Sequence, residues 1–99
     1  MVAIKYYELA ANNGNAQAFH WLGTYHYDGI GVNKDVNKAI NYFHAAASMG
    51  INGSMVYLAN IYLKGINTSK DCNKAKEFIY KFSNGTPSLR WQKELEDCY

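Results

Sequence analysis

"DGIGVNKD" at residues 28–35 and "KGINTSKD" at residues 64–71 stand thirty-six residues apart and share one plan. Each opens with a residue and a glycine that stop a helix, and each closes on an aspartate just before an apolar run. Gly29 and Gly65 suit the left-handed backbone at a helix C-terminus, which carries no steric cost for glycine. Gly31 supplies a second unusual angle, and Asn67, the non-glycine type most tolerant of it, takes its place in the later copy. Val32 and Thr68 are β-branched and suit an extended residue under the turn. Asp35 and Asp71 then cap the next helix by accepting hydrogen bonds from its free N–H groups. Both stretches are therefore connectors between helices. Neither is a phosphate loop, because GxGxxG is absent and no strand precedes it.

The match extends well beyond the connectors. Laying residues 3–38 over 39–74 pairs Ala3 with Ala39, Tyr6 with Tyr42, Tyr7 with Phe43, and Ala10 and Ala11 with Ala46 and Ala47. It also pairs Gly14 with Gly50, Leu22 with Leu58 and Gly23 with Ala59, and Asn37-Lys38-Ala39 recurs as Asn73-Lys74-Ala75. Self-similarity at one constant offset is the mark of a repeat protein. Each repeat reads as two helices. First helices are expected at about residues 2–13, 36–49 and 72–83, and second helices at about 15–28 and 52–64. Gly14 and Gly50 end the first helices, Asn15 and Asn52 are the expected N-caps of the second, and Ala18, Leu22, Tyr25 and Ser54, Leu58, Ile61 form inward stripes. The alanines, with Gly23 and Ala59, permit close approach of helix axes, and Tyr6, Tyr42, Trp21 and Tyr57 are expected to fill the remaining space.

The third repeat diverges. Phe78 and Phe82 hold its first helix, and "SNGTPS" makes the following turn one residue longer. Thr86 is then the expected cap, with Pro87 at the first helical position, where its missing N–H costs nothing. Trp91, Leu95 and Cys98 face inward on a capping helix over 87–98, while Arg90, Lys93, Glu94, Glu96 and Asp97 point to water. One repeat cannot bury its apolar face alone, so repeats must stack and end in such a polar helix. The chain reads as a single domain, residues 1–99, with repeats at about 1–35 and 36–71 and a divergent capping repeat at about 72–99.

Composition narrows the function. An apolar fraction of 48% argues against disorder, and a net charge of +2, spread without a like-charged block, argues against nucleic acid. No run approaches the roughly 20 apolar residues of a membrane span, and Lys5 and Glu8 interrupt any signal-peptide core. The compartment is left open, with the cytoplasm as default. His20, His26 and His44 do not pair at ligand spacing with Cys, Asp or Glu, so no metal is expected, and no cofactor. No nucleophile–base constellation stands out, so the chain is expected not to be an enzyme. Asn52, Asn67 and Asn84 fit the glycosylation sequon, but each lies at an expected turn that wants asparagine anyway. Cys72 and Cys98 stand at ends of the third hairpin that an antiparallel arrangement brings together. A disulfide there would add about 3–4 kcal/mol by loop entropy. The alternative is two reduced, small apolar residues, which the lack of an export signal favours.

The pattern carried by Ala3, Tyr6, Tyr7, Ala10, Ala11, Gly14, Ala18, Leu22, Gly23, Tyr25, Gly29, Gly31, Val32, Asp35 and Ala39 resembles the Sel-1-like repeat, a relative of the tetratricopeptide repeat. The second copy matches at Tyr42, Phe43, Ala46, Ala47, Gly50, Leu58, Gly65, Asp71 and Ala75. The resemblance implies an all-α α-solenoid of stacked antiparallel hairpins, wound as a right-handed superhelix, that scaffolds protein complexes. A cysteine-rich subgroup described as β-lactam-binding carries a cysteine pair in each repeat. A β-lactam-binding or peptidoglycan-related enzyme, by way of that subgroup, is the alternative reading, and the lack of cysteines in the first two repeats argues against it. Met1 aligns with Asn37, inside a first helix, and Tyr99 stops just before an expected glycine turn. The chain is accordingly expected to be a fragment or a minimal form of a longer array. By analogy with related repeats the first helices line a concave wall. Their positions outside the core are Lys5, Glu8 and Asn12, then Asn41, His44 and Ser48, then Glu77, Tyr80 and Asn84. That mixture of charge, amide and one aromatic suits a protein or peptide partner held in extended form.

Overall fold

The computed structural model describes residues 2–99, with side chains from Ile4 onward. Among these residues it contains six helices and no strand: α1 (Val2–Asn12), α2 (Ala16–Asp28), α3 (Val36–Ser48), α4 (Asn52–Lys64), α5 (Cys72–Phe82) and α6 (Leu89–Cys98). Met1 and the side chain of Ala3, matched above to Asn37 and Ala39, lie outside the described part. No helix of the described residues is long and apolar enough to cross a membrane.

The repeat is written in the backbone as well as in the side chains. Tyr25 O accepts from Ile30 N–H at 2.9 Å and His26 O from Asp35 N–H at 2.8 Å. At the matching positions Ile61 O accepts from Ile66 N–H at 3.0 Å and Tyr62 O from Asp71 N–H at 2.9 Å. Gly29 and Gly65 have φ of +70° and +66°, and Gly31 and Asn67 have +72° and +55°, so the asparagine does adopt the glycine's conformation. Asp35 Oδ1 accepts from Lys38 N–H at 3.1 Å and Asp71 Oδ1 from Lys74 N–H at 2.9 Å, which satisfies a donor that a helix start leaves open. Asn15 caps α2 in the same way through Ala18 N–H, at 3.1 Å.

Four expectations need correction. Asn52 is the first residue of α4 rather than its cap, because the offset from Asn15 lands on Ile51, whose carbonyl accepts from Ser54 N–H. Thr86 and Pro87 precede α6, and Ser88 holds the cap position with no side-chain bond. The Pro87 carbonyl instead accepts from Gln92 Nε2 at 2.8 Å, while Thr86 Oγ1 donates back to Ser83 O. The α5–α6 connection comprises six residues against three in each of the earlier hairpins; α5 ends early, with Asn84 and Gly85 both left-handed. Finally, Tyr6 and Trp21 are 67% and 44% exposed, so neither fills the interior.

The chain divides into two compact units at Ser54/Met55, inside α4. In the first unit α2 packs most extensively on α3 and also on α1. Ile4, Ala11, Ala18 and Leu22 form one core cluster, with Tyr7, Tyr25 and Tyr42 packed against it. Phe43 is fully buried beside Gly23, a burial worth about 1.5–3 kcal/mol. In the second unit Leu58, Ala59, Ile61, Ala75 and Ile79 have no exposed surface, and Leu95 and Cys98 of α6 close over α5. At the matching positions 42/43 and 78/79 it is the second, Phe43 or Ile79, that goes fully into the core; Tyr42 and Phe78 stay half-buried.

Candidate functional site

In the first unit, Lys5, Glu8 and Asn12 are exposed on α1, and Asn41 and Ser48 are exposed on α3. Spacings of three and four residues place each set along one helix face. His44 is half-buried, and Ser48 Oγ donates to Ala45 O at 2.7 Å, which turns that hydroxyl back onto its own helix. In the second unit, Glu77, Tyr80 and Asn84 are exposed, and Tyr80 retains 41% of its surface. The Lys76 ammonium lies over the Tyr80 ring, 5.7 Å from its centroid.

Tyr80 also borders a feature that the sequence reading missed. An open cleft of about 580 Å³ lies in the second unit, walled by Lys76 and Tyr80 of α5, by Gly85, Thr86 and Pro87 of the turn, and by Gln92, Leu95 and Glu96 of α6 with Tyr99. The N-terminus of α5 and the C-terminus of α6 are tied together. The Cys72 and Cys98 sulfurs stand at bonding distance, 2.01 Å, with Cα atoms 5.9 Å apart, and the Tyr99 hydroxyl donates to Asn73 Oδ1. At the turn end of the hairpin Phe82 and Trp91 meet edge to face at 5.3 Å. The cleft thus offers an ammonium, a carboxylate, an amide and two phenols above an apolar floor at Leu95, a set suited to gripping a ligand by charge and hydrogen bonds.

The histidines are engaged in packing. His26 is buried and its Nδ1–H donates to Leu22 O at 2.8 Å. His20 Nδ1 lies 2.7 Å from Ser54 Oγ, and burial holds its pKa below the ordinary imidazole value of 6.5. Ser54, whose hydroxyl would be needed exposed if Asn52 were a glycosylation acceptor loop, is fully buried at this contact.

Repeated helix-turn-helix elements in register, with no strand among the described residues, define an all-α helical-repeat protein of the α-solenoid class. A profile of the Sel1 repeat matches residues 2–15, 16–51 and 53–85. The chain belongs to the Sel1 repeat family. Its fold is similar to the crystal structure of a Sel1 repeat protein from Oxalobacter formigenes, with a TM-score of 0.78 and 29% identity. The likeness covers 97% of this chain but 39% of that one. No curated protein matches the chain. The helical repeats of this family commonly serve as non-enzymatic protein-interaction modules.

Proposed function

We propose that this chain is an adaptor that binds a protein or peptide partner along the exposed faces of its first helices. The contact residues in this reading are Lys5, Glu8, Asn12, Asn41, His44 and Ser48 of the first unit and Glu77, Tyr80 and Asn84 of the second. The face is the one that analogy with related repeats makes concave. One observation carries the proposal: Tyr80 is a large aromatic left exposed on a helix face and backed by a lysine. Tyrosine supplies contact area at low entropic cost and is enriched among residues that dominate binding energy. Catalysis forms no part of this reading.

The test uses peptides selected from a random display library on the intact chain and counter-screened on the His44→Ala, Tyr80→Ala double variant. Selected peptides are expected to lose at least tenfold in affinity, about 1.4 kcal/mol, while the melting temperature holds. Tyr80→Phe should restore most of the binding if the ring is the anchor. Peptides that bind the double variant as well as the parent would remove this face from consideration.

A further inference from the structure

The repeat register shows what the fold asks for at the two cysteine positions. Thirty-six residues before Cys72 stands Val36, and thirty-seven before Cys98, counting the extra residue ahead of α6, stands Ile61. The same step carries Leu58 to Leu95, and Val36, Ile61, Leu58 and Leu95 are all buried. Aliphatic side chains therefore meet the packing at these positions, which does not call for sulfur. Two thiols are also smaller than a valine and an isoleucine together, and an underfilled core site costs stability. The Cα atoms of Cys72 and Cys98 stand 5.9 Å apart, within the range that a disulfide spans. The opened pair is housed as well. Leu63 O, one of the last four carbonyls of α4, lies 4.0 Å from Cys98 Sγ, so a Cys98 thiol finds a weak hydrogen-bond acceptor already in place. Both oxidation states thus fit the hairpin.

The two sulfurs differ in their surroundings. Cys72 is the first residue of α5, where open N–H groups and the helix dipole favour negative charge. Asp71 opposes this with its carboxylate, which Lys74 N–H already engages at 2.9 Å. Cys98 is buried in the last turn of α6, at the opposite pole, and both conditions disfavour a thiolate. Its counterparts Tyr25 and Ile61 also lie in the last turns of their helices, so this placement belongs to the repeat. Cys72 is only half-buried, which eases approach to it. We propose that Cys72 and Cys98 form a reversible thiol–disulfide exchange site for a disulfide donor R–S–S–R, in which Cys72 engages the donor and Cys98 resolves the adduct. In the closing direction the Cys72 thiol gives its proton to water and the thiolate attacks one donor sulfur. The donor S–S bond breaks, and R–S⁻ leaves with the electron pair and takes a proton from water. Cys98 then gives its proton to water, and its thiolate attacks Cys72 Sγ and expels the second R–S⁻, which is protonated in turn. Two cysteine thiols are oxidised to one disulfide and the donor is reduced to two R–SH. Closure ties the last turn of α6 to the first turn of α5, beside the Tyr99 hydroxyl on Asn73. This inference goes beyond the adaptor reading above and uses none of its contact residues.

The experiment mixes the fully reduced, intact chain with glutathione disulfide at neutral pH, quenches samples with acid and maps adducts by peptide mass spectrometry. In the parent the earliest adduct is expected on Cys72, followed by closure of the Cys72–Cys98 bond and return of all the glutathione as thiol. Two trapping variants supply the rates. Cys98→Ser is expected to capture glutathione at Cys72 at least tenfold faster than Cys72→Ser captures it at Cys98. In denaturing urea that ratio should fall to about twofold or less, because the helix ends and the burial are gone. An earliest adduct on Cys98, a ratio below tenfold in the folded chain, or a ratio that survives urea would each overturn the proposal. So would a parent chain that stalls at the adduct or links to a second chain instead of closing. Circular dichroism of the reduced parent is recorded alongside, and loss of its helix signal would count against a housed dithiol state in the same way. The His44 and Tyr80 test is read on the closed chain, so neither result bears on the other.

Discussion

A methyl group added at Gly23 would sit 2.6 Å from a ring carbon of Phe43, a side chain with no exposed surface to retreat into. Two effects compete. Alanine is the better helix former by about 0.8–1.0 kcal/mol, whereas overpacking a closed core costs about 1–3 kcal/mol. Because the ring is fully enclosed, overpacking should win, and Gly23→Ala is expected to lower stability, by up to about 2 kcal/mol, in urea unfolding. Adding Phe43→Leu should relieve the clash and recover part of the loss; a Gly23→Ala chain more stable than the parent would mean that the ring moves freely. The matching pair makes the same point in reverse, since Ala59 takes the glycine's position where Ile79 takes that of the phenylalanine. His20 supplies a second residue-level prediction. Its pKa is lowered by burial, so just below pH 6.5 the unfolded chain binds more protons than the folded one. Stability is therefore retained above that value and falls as the pH drops through the window beneath it. The melting temperature is expected to be lower at pH 5.5 than at pH 7.5, and His20→Gln should flatten the difference. An undiminished slope in that variant would acquit His20.

At the scale of elements, the turns were legible wherever one conformation demands one residue type. Gly29, Gly65 and Asn67 all sit at positive φ, and Asp35 and Asp71 accept the cap hydrogen bonds that their residue type implies. Reading failed where several signals competed. Thr86, Pro87 and Ser88 each offer a plausible helix start, and the choice among them falls to the Gln92 side chain, which takes the Pro87 carbonyl from outside the backbone pattern. Periodicity also could not say which of two adjacent aromatics points inward. A helix turns by about 100° per residue, so neighbours such as Tyr42 and Phe43 both fall within one broad apolar stripe. The exposed face residues were found by subtraction from that stripe. The cleft was not, because the polar character of Lys76, Gln92 and Glu96 reads in sequence as an ordinary wet surface.

For the molecule as a whole, the division between compact units falls at Ser54/Met55, within the continuous helix α4. A helix cannot lose half its length without freeing backbone groups of the half that remains, so unfolding of one unit should propagate through α4 to the other. Each unit carries one tryptophan, Trp21 in the first and Trp91 in the second, which makes the propagation measurable. The Cys72–Cys98 pair lies wholly in the second unit and spans 26 residues, a loop whose closure contributes about 3–4 kcal/mol in the chain-entropy description. With urea slopes of about 1–3 kcal/mol per molar, its reduction should lower the unfolding midpoint by at least about 1 M. The prediction is that Trp91→Phe, which leaves only the reporter in the first unit, shows the same fall on reduction as Trp21→Phe, which leaves only the reporter in the second. Fluorescence-detected urea titrations with and without reductant would measure both. If the Trp21 signal keeps its midpoint while the Trp91 signal shifts, the two units unfold independently, and α4 serves as a joint between them rather than as a shared structural member.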